Sequence, residues 1–217
     1  MFGRLRGVIG RLFTPLAKGL LRIGLTPDAV TVIGTIGTIA AALGLVATGR
    51  LAGGAWLIAF FVFFDSLDGT MARISGTAGA WGSFLDSVMD RFADGALFVA
   101  LAIHLAAHGH AWGVWGALAC LVLGGIVPYA RAKAESIGCT ASGGLAERSD
   151  RLVITLVATA FVGMSVLPLV VLEVTLWVLA ALSLVTAFQR ILGVRRQLRA
   201  RAADAAGDAT PPAGAEA

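Results

Sequence analysis

Four aspartates between residues 65 and 91 are the side chains of this 217-residue chain whose spacing best suits chemistry. Asp65 and Asp68 are three residues apart, and Asp86 and Asp90 are four apart. On a helix, either spacing puts both side chains on one face. A short linker joins the pairs, so the four carboxylates can converge, and they would repel one another without a cation. Oxygen ligands favour hard cations such as Mg²⁺ or Mn²⁺, which keep open positions for phosphate oxygens. The stretch therefore predicts metal-dependent phosphoryl chemistry.

The elements that must position these carboxylates are membrane helices. The chain is 58% hydrophobic and 14% charged, whereas soluble domains carry about a quarter charged residues. Apolar runs, two of them extended through their aspartates, predict an all-α integral membrane fold with one domain over residues 1–201. The tail, 202–217, has too little apolar bulk to pack, and we expect it to be disordered. The six predicted transmembrane helices cover residues 28–48, 52–73, 80–107, 111–136, 151–170 and 173–194.

The basic residues predict the orientation of the helices. Of the 17 lysines and arginines, only Arg50 falls on the side opposite to the others. This bias predicts that both termini and the aspartates face the cytoplasm in the cell membrane. Residues 1–24 alternate apolar and basic side chains at helical spacing, which is typical of an amphipathic helix in the cytoplasmic interface. The topology accounts for most of these charges, and we expect a lipid bilayer as the partner and no nucleic acid.

Two other interpretations of the aspartates are weaker. They could be interfacial residues paired with Arg73 and Arg91, but four at these spacings, in a chain with 13 acidic residues, favour a functional site. A divalent-cation transporter would need polar residues that recur across the membrane, whereas the candidate ligands lie at one face. Asp94 continues the stripe one turn further, and we expect it to form a salt bridge within the helix bundle.

The spacing of the aspartates resembles the signature of the CDP-alcohol phosphotransferases. This resemblance implies that a CDP-linked lipid reacts with an alcohol and that CMP is released. It also implies two metal ions, Mg²⁺ with Mn²⁺ as an alternative, held by the four aspartates, with Asp90 also acting as the base. Members of the family commonly dimerise, so a homodimer is expected. The matching positions are Asp65-x2-Asp68-Gly69-x2-Ala72-Arg73-x8-Gly82-x3-Asp86-x3-Asp90.

The resemblance extends to the contacts of the CDP-lipid, expected to be CDP-diacylglycerol. The segment "TPDAVT" is similar to the family's nucleotide-contacting segment, although many members have asparagine in place of Asp28. Gly79 occupies a position where some relatives carry a hydroxyl residue, and the nearby Thr77 is the expected substitute. The expected CDP-lipid contacts are Asp28, Ala29, Val30, Thr31, Gly69, Arg73, Thr77 and Gly79.

The acceptor follows from a narrower resemblance. The segments "PYARAKAE" and "GGLAERSDR" are similar to those of actinobacterial phosphatidylinositol phosphate synthases, in which a lysine and two arginines hold the phosphate of inositol phosphate. Here the resemblance implies Lys133, Arg151 and Arg190, with Arg148 in reserve. Guanidinium groups suit this task because they bind phosphate with paired donors. The expected reaction transfers a phosphatidyl group to myo-inositol phosphate. Glycerol 3-phosphate, the acceptor of phosphatidylglycerophosphate synthase, is the alternative.

Overall fold

The structure, a computed structural model, describes residues 13–141, 143–144 and 148–208. Every regular element in these ranges is helical, which confirms the predicted all-α class for the described residues. The helices are α1 (described over residues 13–22), α2 (Pro27–Ala41, continued by a π-helical segment, Ala42–Val46), α3 (Leu51–Asp65), α4 (Asp68–Ser75), α5 (Ala80–Ala107), α6 (Ala111–Ser136), α7 (Arg148–Gly163) and α8 (Leu169–Asp208).

Four stretches of the described chain are long and apolar enough to cross a membrane, judged by length and composition. α5 has 28 residues, but aspartates and an arginine interrupt its apolar character, and α7 has only 16 residues. Four of the six predicted spans therefore have this property, and the other two remain predictions. The four stretches are Pro27–Val46, Leu51–Ser75, Ala111–Ser136 and Leu169–Ala203.

The helix predicted over residues 52–73 is wrong in one respect, because it is interrupted where the first two aspartates lie. α3 ends at Asp65 and α4 begins at Asp68. Between them, the N–H of Leu67 donates to the carbonyl of Phe64, three residues back, at 3.1 Å. Bonds of this kind wind the chain more tightly than an α-helix. α4 then ends at Ser75 and is followed by Gly76, whose φ of 72° favours glycine.

The two ends of the chain differ in how far the predictions can be compared with the structure. α8 continues to Asp208, so residues 202–208 are helical where the sequence predicts a disordered tail. Four of these seven residues are alanine, which has the highest helix propensity, and this continues the helix beyond its apolar part. The rest of the tail and the first half of the helix predicted over 1–24 lie outside the described residues.

Helix α2 contacts all three helices that carry the four aspartates. α2 lies against α3, α4 and α5, while α6 lies between α5 and α8. The main core includes Ile58, Leu101 and Leu176, all with no exposed surface. A smaller cluster, formed by Ala17, Val30 and Met71, joins α1 to α2 and α4. The start of α2 is therefore fixed next to the break between α3 and α4.

Candidate active site

Three of the four aspartates converge in the structure. Asp65 ends α3, Asp68 begins α4 and Asp86 lies in the second turn of α5. One carboxylate oxygen from each lies within 4.8 Å of the others. Among the described residues, no lysine or arginine forms an ion pair with these three, which we call the acidic triad. The buried Oδ1 of Asp65 also has no hydrogen-bond partner there. A cluster of oxygen ligands without a counter-charge fits a hard divalent cation.

Helix α2 positions two members of the acidic triad. An added Cβ on Gly34 would lie 3.2 Å from the Cβ of Asp65 and 3.4 Å from its Oδ1, so a glycine permits this close approach. One turn earlier, the hydroxyl of Thr31 donates to Oδ2 of Asp68 at 2.6 Å. The N–H of Gly69 donates to Oδ1 of the same carboxylate. Thr31 therefore orients a carboxylate of the triad, a role that the sequence analysis missed.

Asp90 lies one helical turn beyond Asp86 and belongs to a different cluster. Its Oδ1 is 2.7 Å from Nη2 of Arg148. Nε of Arg148 donates to Oδ1 of Asp94 at 3.2 Å, and Nη2 of Arg91 lies 3.7 Å from Oδ2 of Asp94. The predicted salt bridge of Asp94 is confirmed. Asp90 and Asp94 with Arg91 and Arg148 form what we call the paired cluster, so the structure does not put Asp90 with the triad.

A proline on α6 helps to hold the paired cluster. Pro128 lies inside the helix and has no N–H, so the carbonyl of Gly124 lacks its helical donor. Nη1 of Arg91 lies 3.4 Å from that carbonyl and donates to it. An added Cβ on Gly124 would also lie 3.7 Å from Nη2 of Arg151. The same point on α6 thus accepts from an arginine of α5 and lies near an arginine of α7.

A cavity of about 750 Å³ opens beside the acidic triad. Asp68 and Asp86 line it, which joins the triad to the predicted nucleotide contacts. Ala29 and Val30 are not among the lining residues, and Val30 is fully buried as a member of the cluster that joins α1 to α2 and α4. Positions 28 and 31 share a face of α2, whereas 29 and 30 point to other faces. The predicted CDP-lipid contacts that do line it are Asp28, Thr31, Gly69, Arg73, Thr77 and Gly79.

One residue of the cavity, Trp81, was not singled out by the sequence. Its Nε1 donates to Oδ2 of Asp28 at 2.8 Å and so connects the first turns of α5 and α2. In the sequence it is marked only by its neighbours, since Gly79 and Gly82 lie on either side of it. The start of α2 is itself capped, because the hydroxyl of Thr26 accepts from the N–H of Ala29 at 3.2 Å.

The predicted acceptor residues have three different surroundings. Arg151 is 2% exposed, and its Nε and Nη1 have no hydrogen-bond partner among the described residues. Arg190 is also buried, but Nη1 donates to the carbonyl of Val127 at 2.6 Å and Nε to that of Gly143 at 3.3 Å. Lys133 is exposed near the end of α6. The shared role of these three residues in binding phosphate remains a prediction.

Comparison with known proteins places these features in one family. The sequence matches the CDP-alcohol phosphatidyltransferase family over residues 24–189. It is 43% identical to the phosphatidylinositol phosphate synthase of Cutibacterium acnes, with 90% of this chain and 98% of that protein covered. It is 43% identical to the enzyme of the same name from Streptomyces avermitilis, with 97% and 89% covered.

Two solved structures of Mycobacterium tuberculosis phosphatidylinositol phosphate synthase are also similar, each at 42% identity. The one with CDP-DAG bound has a TM-score of 0.79 and covers 85% of this chain and 94% of that one. The one in complex with manganese and citrate has a TM-score of 0.77, with 84% and 88% covered. Because the match covers more than half of the chain and includes the acidic triad, this chain belongs to the CDP-alcohol phosphatidyltransferase family.

Proposed function

We propose that this protein is a phosphatidylinositol phosphate synthase, which transfers the phosphatidyl group of CDP-diacylglycerol to a hydroxyl of myo-inositol phosphate and releases CMP. The observation that carries the proposal is the cavity of about 750 Å³ that is lined both by the triad and by the predicted nucleotide contacts. The identity of 43% over nearly whole chains to enzymes of that name supports the choice within the family.

The protein would work as a single membrane domain over residues 1–201. α5 and α7 complete six spans, with both termini and the acidic triad on the cytoplasmic side of the cell membrane. The excess of lysine and arginine on that side supports this orientation. α1 would lie along the cytoplasmic interface, and two copies would form a homodimer. A reporter active only in the cytoplasm, fused after residue 217, should be active if the orientation is right.

The residues of the triad would hold divalent metal, two Mg²⁺ ions or Mn²⁺ in their place. Asp65, Asp68 and Asp86 supply the carboxylates, and the bond from Thr31 keeps one carboxylate in place. When bound, the metal neutralises the diphosphate and makes CMP a better leaving group. Arg73, which lines the cavity and is exposed there, would contact the diphosphate. An added Cβ on Gly69 would lie 3.8 Å from Nη1 of Arg73, so the glycine backbone lies close to this guanidinium.

Asp90 would act as the base. It accepts the proton of the acceptor hydroxyl, whose oxygen then forms a bond to the lipid-bearing phosphorus. The bond from that phosphorus to the oxygen of CMP breaks, and CMP carries away the electron pair. In the structure Arg148 pairs with Asp90 at 2.7 Å. The paired guanidinium lies against the carboxylate and must give way before Asp90 can also bind a metal ion.

The phosphate of the acceptor would bind the basic residues that the sequence predicts for it, Arg151 first among them. Arg151 supports this assignment best, since a buried guanidinium with two unpartnered nitrogens is costly without an anion. Arg190 and Lys133 would complete the site, with Arg148 in reserve. Arg190 donates to the carbonyls of Val127 and Gly143, and its role towards the phosphate follows from the resemblance.

The reaction can be tested with the full-length protein in lipid nanodiscs. The protein is supplied with CDP-diacylglycerol, Mg²⁺ and one of three acceptors: inositol phosphate, free inositol or glycerol 3-phosphate. We expect CMP release and a phosphatidylinositol phosphate product with inositol phosphate alone. Turnover with glycerol 3-phosphate instead would identify a phosphatidylglycerophosphate synthase. An absence of CMP release with every acceptor would contradict the proposal and return attention to cation transport.

A further inference from the structure

The bond between Asp28 and Trp81 lies in the wall of the large cavity. Asp28 is in the first turn of α2 and Trp81 in the first turn of α5, 53 positions apart in the sequence. Trp81 is 63% exposed, so burial in the core does not explain its position. Its indole N–H donates to Oδ2 of Asp28, and no other described side chain donates to this carboxylate. Oδ1 is therefore available to a molecule in the cavity.

A carboxylate is an unusual group in a cavity for a nucleoside diphosphate. It repels the phosphates, which must lie towards Asp68 and Asp86 at the triad. The hydrogen-bond donors that CDP can offer to Asp28 are the amino group of its base and the hydroxyls of its ribose. A carboxylate is the acceptor that suits the 4-amino group of cytosine. Uracil has a carbonyl oxygen at that position, and two acceptors facing each other repel.

The indole favours the base over the ribose. An aromatic side chain at a cavity wall provides a flat surface on which a base can stack. Because the edge of this indole is hydrogen-bonded to Asp28, a base stacked on Trp81 brings its own edge towards the same carboxylate. The bond also limits the rotation of the Asp28 side chain, so one oxygen is held ready before the nucleotide binds.

We propose that Asp28 is a specificity-determining residue that accepts a hydrogen bond from the 4-amino group of cytosine, and that Trp81 is the positioning residue that orients its carboxylate. This assignment rests on the proposed function, since it takes a CDP-linked lipid as the substrate. It goes further in assigning the choice of cytidine over uridine to one pair of side chains.

The test compares the affinities of CDP and UDP, which differ at ring position 4, for the full-length protein in nanodiscs with Mg²⁺. The unchanged protein should prefer CDP by about 10–100-fold. Asp28→Ala should reduce this preference to within about 3-fold, chiefly by weakening CDP. Asp28→Asn keeps the shape but has one acceptor oxygen for two donors, so it should lose part of the preference. It provides the same test if the alanine variant does not fold.

Trp81 is tested with Trp81→Phe, which keeps an aromatic face and removes the N–H. The variant should retain most of its affinity for UDP but lose at least half of the free-energy preference for CDP. A merely structural role would weaken both nucleotides alike. Trp56→Phe is the matched control, because Trp56 is 64% exposed on α3 and does not line the cavity. Its preference should equal that of the unchanged protein.

The outcomes separate this inference from the proposed function. If the unchanged protein binds neither nucleotide, the proposed function fails and this assignment fails with it. If it prefers CDP and the Asp28 variants keep the full preference, the function stands and the assignment is overturned. Including 2′-deoxy-CDP distinguishes the ribose. If Asp28→Ala removes discrimination against 2′-deoxy-CDP but not against UDP, the carboxylate reads the ribose and not the base.

Discussion

The acidic triad and the paired cluster both contain aspartates, and on α5 they are one helical turn apart. Their charges are nevertheless balanced in different ways. Asp86 lies with Asp65 and Asp68, and no ion pair to these three is found among the described residues. One turn later, Asp90 and Asp94 both pair with Arg148. The protein therefore supplies the counter-charge of one cluster and leaves that of the other to a ligand.

This difference separates aspartates that pair with arginine from aspartates that need a bound cation, which the spacing in the sequence alone cannot distinguish. Carboxylates that carry their own guanidinium are stable without a ligand, because each charge has a partner. Carboxylates without one repel each other and gain most when a cation binds. Besides acting on the substrate, the metal should then stabilise the folded protein, since a ligand that binds only the native state shifts the unfolding equilibrium.

Removal of metal should have the largest effect, because activity should depend on the acidic triad and its cation. Chelation with EDTA should abolish CMP release, and added Mg²⁺ or Mn²⁺ should restore it. Asp68→Ala should lower turnover by about 10³-fold, because it removes a predicted ligand of an ion that contributes several kcal/mol. Glu135→Ala is the control, as Glu135 is an exposed carboxylate on α6 with a surface partner. Near-normal turnover of Asp68→Ala would contradict the metal assignment.

The same substitution should have opposite effects on stability in the two clusters. In metal-free buffer, Asp94→Asn should lower the free energy of unfolding by about 2 kcal/mol, because it leaves Arg148 and Arg91 with one carboxylate fewer. Asp65→Asn should raise it by about 1 kcal/mol, because it relieves repulsion within the triad. The measurement is the melting temperature with EDTA and with Mn²⁺. The shift caused by Mn²⁺ should persist in Asp94→Asn and be reduced in Asp65→Asn. Destabilisation by both substitutions would show that the triad has an unrecognised internal counter-charge.

A methyl group at Gly34 should test the packing that places Asp65. Its Cβ would lie 3.2 Å from the Cβ of Asp65, so the carboxylate must move by a few tenths of an ångström. We expect Gly34→Ala to weaken Mn²⁺ binding about 5–10-fold, because metal ligands tolerate little displacement. Gly44→Ala, later in the same continuous helical segment, has no atom within 4 Å of the new Cβ. It should leave Mn²⁺ affinity unchanged, and equal affinities in the two variants would contradict the packing argument.

The sequence predicted the components of the site better than their grouping. Spacing and the cost of charge in a membrane identified the aspartates, and the triad forms because α2 contacts α3, α4 and α5. The separation of Asp90 from Asp86 was not predictable, because it depends on Arg148, which lies on another helix 58 positions later. The overwound turn at Leu67 was missed for a related reason. No proline or glycine stands at the turn itself, where the buried Leu67 looks in the sequence like any apolar helix residue.

The bond between Trp81 and Asp28 was also beyond sequence reasoning, for a simpler reason. A tryptophan in a glycine-rich linker has no periodic pattern that would indicate its partner. Only the packing of α5 against α2 brings the two first turns together. By contrast, the salt bridge of Asp94 was predictable, because a carboxylate one turn inside the bundle needs a nearby cation.

The smallest expected effect is the coupling energy of an exposed ion pair, with which the ion pairs of the paired cluster can be compared. Arg131 and Glu135, four residues apart on α6, also form an ion pair, at 2.9 Å, but their side chains are 56% and 55% exposed. A double-mutant cycle to alanine should give a coupling energy of about 0.3–0.5 kcal/mol, because water already solvates both groups. The same cycle on Arg148 and Asp94, whose side chains are 30% and 10% exposed, should give at least about 1.5 kcal/mol. If the two couplings are equal, the arginine of the paired cluster contributes no more than a surface charge, and the contrast with the triad rests on the metal alone.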